Sequence, residues 1–551
     1  MRRLPAHVHD GRSGPLSKII ARSHHAGSGG DEVSEMKAAD STMSYLELLK
    51  LASPETIVVI TALAVLSIGL VTGRVKSTAT VSTAKPAQSA NDTSTATGIC
   101  SAVAALGLAI AIGAVLMLPR NATLFGGMLV ITPLTSLFKI ICIALAFFTV
   151  LLTTSEKSLR HPGEYLALVL FATVGLMLLV GSEELLIIFI GLELLGLSLY
   201  VMTAFDKTDV RSAEAGVKYF LFGSTSSAFT LFGISLIYGM SGTTSLAAVS
   251  EKLATISIQP LLAVGIVMTL IGFAFKIAAA PFHLWAPDAY QGAPVPSSAF
   301  IASASKVASF VVLGKIVLVG FAPFHGSAAW HAMVAGWSPV LAALAALSIL
   351  LGNLVALAQS NVRRLLAYSA VAHAGYTLIG LVSGDRTGFS AALFYATIYA
   401  ITLVGAFGVV AMVRRETGGD DFSNFAGLSS RSPLLAGCMS VFMLSLAGIP
   451  PLAGFFGKFY LFSVALRAGA NHGLLWLVAV ALLGSFISLY YYLMVLKAIF
   501  VDEPVLASPR HVGVLPPALL TRATVAVLAA TVLLLGITPQ ILAAPILAAV
   551  P

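Results

Sequence analysis

Charge is what this chain has least of. Asp, Glu, Lys and Arg make up 10% of its 551 residues, against about 25% in an ordinary soluble domain. So little charge excludes a protein with a large water-facing surface. Cysteine is scarce as well. Cys100, Cys142 and Cys438 each lie in or beside an apolar segment, and their spacing suggests neither a disulfide framework nor a metal site. There is no Gly-rich phosphate loop, no Cys-x-x-Cys pair and no nucleophile triad; Gly27-Ser28-Gly29-Gly30 belongs to a polar tail, not a nucleotide loop. The chain therefore shows no equipment of its own for redox chemistry or hydrolysis. The net charge of +8 is spread over many loops, which argues against nucleic acid as a partner.

What is present is apolar. Hydrophobic residues are 58% of the chain, and the mean hydropathy is +0.94. The pattern predicts fourteen membrane-crossing stretches, at 55–73, 97–118, 127–153, 164–182, 184–204, 216–240, 259–280, 297–320, 338–358, 363–383, 388–413, 434–468, 474–500 and 522–546; a helix needs about 20 residues to cross the hydrocarbon core. The twelfth contains Gly448-Ile449-Pro450-Pro451 and Gly454, which predicts an interruption near its middle. Loops on one side carry Arg74, Lys76, Lys85, Lys157, Arg160, Lys207, Arg211, Lys218, Arg363, Arg364, Arg414, Arg415, Arg431, Lys497, Arg510 and Arg522. The other side carries only Arg120, Lys252, Arg386 and Arg467. This bias supports fourteen crossings, puts the first side in the cytoplasm and leaves both termini outside.

Residues 1–50 conflict with that topology, because they hold seven basic residues. The stretch is polar, has no apolar core and does not read as a secretory signal. Translation from Met43, or from Met36, removes the conflict; if residues 1–42 are translated, their composition predicts disorder. The expected fold is all-α and polytopic, with two inverted five-helix repeats containing broken helices. Residues 43–158 supply the first three helices, 159–325 and 326–500 the two repeats, and 501–551 the last helix.

Ionisable groups inside apolar runs are costly and mark function. Lys276 closes the run Leu261–Ala280, and the chain breaks straight after it at Pro281-Phe282-His283-Leu284-Trp285-Ala286-Pro287-Asp288. Glu193 sits mid-way in an apolar helix. Its charge reflects a competition between burial and any neighbouring lysine; the plainer alternative is a neutral acid bonded to the next helix. Lys306 follows Ala302-Ser303-Ala304-Ser305 and is either a relay group or a structural contact to those hydroxyls or to a broken-helix carbonyl. His373, among small and hydroxylated residues, is a relay candidate or a satisfied structural histidine. Lys458 follows the break at Pro450-Pro451, and Lys218 opens the sixth helix near its edge. Lys315 is expected to snorkel outward, and Lys139 to be structural. Buried lysine can exchange its proton, whereas arginine stays charged; here Arg is confined to loops and helix ends, which suits proton exchange.

These residues resemble a known family. Gly272-Phe273-Ala274-Phe275-Lys276, with the run from Pro281 to Pro294, is similar to the signature of the antiporter-like membrane subunits of respiratory complex I. Arg364–Ser369 with Ala372–Tyr376 matches the same superfamily. The stretches Glu214–Gly223 and Ala447–Lys458 narrow the resemblance to the subunit N branch of NADH-quinone oxidoreductases. Lysine at 458, where subunit M has glutamate, and the lack of a long amphipathic helix after 546 agree. Thr132-Pro133 departs from the family, where an aspartate is common. The resemblance covers about residues 43–546. It implies a proton relay of Glu193, Lys276, Lys306, His373 and Lys458, with Lys218 secondary, coupled to quinone reduction elsewhere in the complex. It implies that NADH, FMN, iron–sulfur clusters and quinone sit in partner subunits, and that the neighbours are antiporter-like and small membrane subunits in a bacterial inner membrane. A multi-subunit cation/proton antiporter and a non-pumping scaffold are the alternative readings.

Overall fold

A computed structural model describes residues 45–79, 86–156, 158–468, 473–503 and 516–550. The expectations for residues 1–42, with the alternative starts, lie outside the described residues. Twelve helices among the described residues are long and apolar enough to cross a membrane. They coincide with twelve of the fourteen expected stretches. Of the other two, 259–280 holds the helix Pro260–Lys276, followed after the break by Trp285–Gly292, and 434–468 divides into Pro433–Ala447 and Ala453–Arg467. The two breaks fall at the seventh and twelfth of the expected stretches.

Boundaries follow local chemistry. The expected span 127–153 starts only at Pro133, because Ala122–Leu124 and Leu129–Ile131 pair as an antiparallel hairpin. Thr132 caps the helix that follows. Its hydroxyl accepts from the Thr135 N–H at 3.2 Å, the Thr135 hydroxyl accepts from the Thr132 N–H at 2.8 Å, and Pro133 fills the first turn. Threonine thus does here the capping that an aspartate would do. Glu184, Asp209, Asn361 and Asp385 cap four further helices with their side chains. The expected span 216–240 reaches back to Val210. The last expected span, 522–546, is not one helix: it stops at Ile537 and resumes at Gln540, beyond Thr538-Pro539, since proline cannot continue the hydrogen-bond ladder.

Two helices organise the middle. Arg386–Thr417 has 32 residues and is buried from Gly388 to Val413 except at Ile401; at 1.5 Å per residue it is about 48 Å long. It packs against Val295–Ala302 and Ala304–Lys315 on one hand, and against Val362–Val382, Pro433–Ala447 and Ala453–Arg467 on the other. Val362–Val382 is buried almost throughout and also contacts Trp337–Ala356 and Trp285–Gly292.

The first break is tied down by hydrogen bonds that replace lost helical ones, as irregular backbone at membrane depth requires. Ala278 adopts a left-handed φ of 58°. The Ala279 N–H returns to the Ala274 carbonyl, the Ala280 N–H donates to Ser348 Oγ at 2.8 Å, and the Trp285 indole donates to the Phe275 carbonyl at 3.1 Å. A further discontinuity falls at Ser303, between Val295–Ala302 and Ala304–Lys315.

Candidate functional site

Glu193 lies midway along Leu185–Thr203, and its carboxylate accepts a short hydrogen bond from Ser227 Oγ of the neighbouring helix. Lys276 is the last residue of Pro260–Lys276 and is buried. The two share one small pocket of about 20 Å³ with the hydroxyl-bearing Ser226, Ser227 and Thr230. That space is enough for one water, which needs about 10–15 Å³. Glu193 and Lys276 do not form a direct ion pair within 4.0 Å; the pocket separates them. Gly196 lies against the ammonium: a Cβ there would sit 3.5 Å from Lys276 Nζ, an ordinary contact.

The other three groups are strung along Val362–Val382. Lys306 Nζ donates to the Ala370 carbonyl at 2.8 Å. His373 follows three residues later, and Tyr376 three after that, so the three positions share a helix face. Lys458 Nζ stands 5.2 Å from the centre of the Tyr376 ring and donates to the Ala447 carbonyl at 3.1 Å and to Ser485 Oγ at 2.9 Å. The broken helix supplies the first of these acceptors: Ala447 ends Pro433–Ala447, and Gly448 takes φ of 85° to turn the chain, a conformation that suits glycine.

His373 is held at both nitrogens. Nδ1 is 2.8 Å from the Tyr395 hydroxyl and Nε2 is 3.0 Å from the Tyr492 hydroxyl, which is itself 2.5 Å from Ser369 Oγ. Neutral imidazole donates through one nitrogen and accepts through the other, so the two tyrosines can serve either tautomer. Tyr399 stacks on the imidazole at 4.7 Å, and Lys306 Nζ lies 5.7 Å from the Tyr399 ring centre. Aromatic rings therefore stand beside the histidine on the way to each lysine, and cation–π attraction helps hold each ammonium.

Lys218 stands apart. It is half exposed, pairs with Glu214 at 2.6 Å and Asp288 at 2.8 Å, and does not line the Glu193–Lys276 pocket. Asp288 also accepts from Arg364 at 2.8 Å, so this carboxylate ties three helices together. Lys139 forms a 2.6 Å ion pair with Glu55, as a structural group would. Lys315 does not snorkel into water. It is buried, donating to the Val180 and Ser182 carbonyls at 3.0 and 3.3 Å, with Glu183 3.5 Å away, because the turn between two helices folds over it.

Sequence reasoning passed over the tyrosines around His373, Ser227 and the bridging role of Asp288. Tyr395 and Tyr399 did offer a signal: spaced four apart on one helix, they must share a face.

Residues 182–488 match the family model described as NADH:quinone oxidoreductase/Mrp antiporter, transmembrane. The chain is 49% identical over 456 residues to NADH-quinone oxidoreductase subunit N 2 of Acidobacterium capsulatum, covering 79% of this chain and 89% of that one. The chain belongs to the NADH-quinone oxidoreductase subunit N family. Subunit N of Desulforamulus reducens is 42% identical, with 74% and 84% covered. A chain of respiratory complex I from Thermus thermophilus with bound aureothin superposes with a TM-score of 0.68 at 32% identity, covering 89% and 98%. A chain of the Mrp complex from Dietzia reaches 0.71 at 22% identity, with 91% and 97% covered, and shares the fold. Family membership makes this a multi-pass membrane subunit that sits among other antiporter-like subunits.

Proposed function

We propose that this subunit carries protons across the membrane for NADH-quinone oxidoreductase through Glu193, Lys276, Lys306, His373 and Lys458. Protons are taken up near Glu193 and Lys276 from the side with the basic loops, with Lys218 at the edge of that path. They pass Lys306 and His373 and leave near Lys458. The side of uptake is the cytoplasm, the termini are periplasmic, and residues 159–325 and 326–500 form the two halves of the path. The redox steps, with NADH, FMN, iron–sulfur clusters and quinone, belong to partner subunits of the complex in the inner membrane. The observation that carries the reading is the row along Val362–Val382: Lys306 on the Ala370 carbonyl, His373 between two tyrosine hydroxyls, and Lys458 over Tyr376. Groups this costly at membrane depth are kept for use.

The test is Lys276→Ala in the intact complex, with quinone-linked NADH oxidation and proton uptake measured in membrane vesicles. Loss of both in an assembled complex is expected. Full retention of both sinks the relay and leaves a scaffold.

A further inference from the structure

Beside the small Glu193–Lys276 pocket lies a much larger cavity of about 680 Å³, walled by residues such as Phe171 and Val217 and rimmed by Arg160, Asp206 and Lys207. Those rim residues belong to the loops on the basic side. Tyr200 is the residue common to both cavities. It stands two helical turns after Glu193 on the same helix, with an edge against Tyr219 at 4.7 Å and Lys276 Nζ 6.0 Å from its ring centre.

The Tyr200 side chain is 7% exposed, and its hydroxyl makes no hydrogen bond among the described residues, a lack it shares with the buried hydroxyls of Tyr219, Tyr290 and Tyr399. Glycines make the space it fills. A Cβ on Gly196 would lie 3.1 Å from the hydroxyl, and a Cβ on Gly223 of the adjacent helix would overlap the hydroxyl and the ring. The side chain is thus held by shape in a slot between helices, with no polar anchor to keep it there.

The geometry points to Tyr200 as the gate between the large cavity, which opens at the polar rim of Arg160, Asp206 and Lys207, and the Glu193–Lys276 pocket. A proton moves along continuous hydrogen-bonded water, and an aromatic ring interrupts that file. With the ring in its slot, the pocket has room for a single water beside Glu193. Rotation of the side chain into the large cavity joins the two spaces and lets water from the polar rim reach Lys276. The ring does the blocking; Tyr200 acts on the proton path through the water it admits or excludes. This role rests on the proposed relay role of Glu193 and Lys276.

Accessibility tests it without reading pumping. Ser226 lines the small pocket, so Ser226→Cys is placed in a chain whose Cys100, Cys142 and Cys438 are replaced by Ala. A small, charged, membrane-impermeant methanethiosulfonate is applied to inverted vesicles of the assembled complex, and labelling of this chain is followed in time. With Tyr200→Ala the labelling rate is expected to rise about tenfold or more; with Tyr200→Phe, which keeps the ring, it stays at the parent value. Equal rates in the parent and Tyr200→Ala overturn the gate. If Tyr200→Ala fails to assemble, Gly223→Ala displaces the ring instead and is expected to raise the rate likewise; an unchanged rate there overturns the gate too. Normal pumping in Lys276→Ala would remove the relay and leave the labelling result untouched, so the two failures are distinguishable.

Discussion

Replacing Tyr492 with phenylalanine removes one oxygen and leaves the ring in place. That oxygen lies 2.5 Å from Ser369 Oγ and 3.0 Å from His373 Nε2. Ser369 is fully buried and His373 is 3% exposed, so bulk water cannot replace the lost contact. A buried polar group left without its partner costs about 1–3 kcal/mol. Tyr395 still holds Nδ1 at 2.8 Å, so the imidazole loses one anchor of two and the helix itself should survive. At ~1.4 kcal/mol per tenfold, the share of His373 in its working orientation falls roughly 5- to 100-fold. Coupled NADH oxidation and proton uptake in vesicles are expected to fall together by a factor in that range, with assembly checked on a native gel. A double-mutant cycle with His373→Gln separates positioning from packing: if Tyr492 acts through His373, its effect shrinks sharply in the His373→Gln background. Parental rates in Tyr492→Phe refute the reasoning, and so do losses that simply add.

Elsewhere the structure predicts effects on stability. Lys139→Met strands Glu55, its partner at 2.6 Å, and is expected to cost about 3 kcal/mol, the low end for breaking a buried pair. The double change Glu55→Gln/Lys139→Met should recover most of that loss, as read from thermal inactivation of the detergent-solubilised complex; a single variant as stable as the double contradicts it. Gly163→Ala puts a Cβ 2.6 Å from the Gly69 Cα, where two membrane helices touch through small residues. Overpacking there is expected to cost about 1–3 kcal/mol, seen as less assembled complex on native gels; a parental yield counts against the contact.

The sequence made some features easy to read because they are rare in apolar runs. Lys276 before Pro281 and Lys458 after Pro450-Pro451 stand out in a chain with so little charge, and both lie at observed helix breaks. The interruption of 434–468 was legible from Pro450-Pro451; the exact ends of the flanking helices, Ala447 and Ala453, were not, since hydrogen bonding decides them. The surroundings of His373 were less legible still. Tyr395 and Tyr399 come from Arg386–Thr417, and Tyr492 from Leu475–Phe500; a tyrosine in an apolar helix looks the same whether its hydroxyl meets a histidine or a lipid headgroup. Asp288 shows the same limit. Its partners Lys218 and Arg364 are 70 and 76 residues away, and no local pattern links them.

The buried basic groups fall into two classes by what stands opposite them. Lys139, Lys315 and Arg363 each have a carboxylate within 4.0 Å: Glu55, Glu183 and Asp420. Arg363 is fully buried and also donates to Ser298 Oγ at 3.0 Å and to the Ala293 carbonyl. Breaking such a pair by removing one partner is expensive where the carboxylate is itself largely buried, as Glu55 and Asp420 are. Lys276, Lys306 and Lys458 have no carboxylate within that distance among the described residues. They are held by carbonyls, a serine hydroxyl, ring faces and the shared Glu193 pocket. Of these partners only Glu193, across its pocket, is a carboxylate. Residue type alone did not separate Lys315 from Lys306, since both are lysines buried in one apolar stretch. Only the fold, by placing Glu183 beside one and a carbonyl of the His373 helix beside the other, distinguishes them.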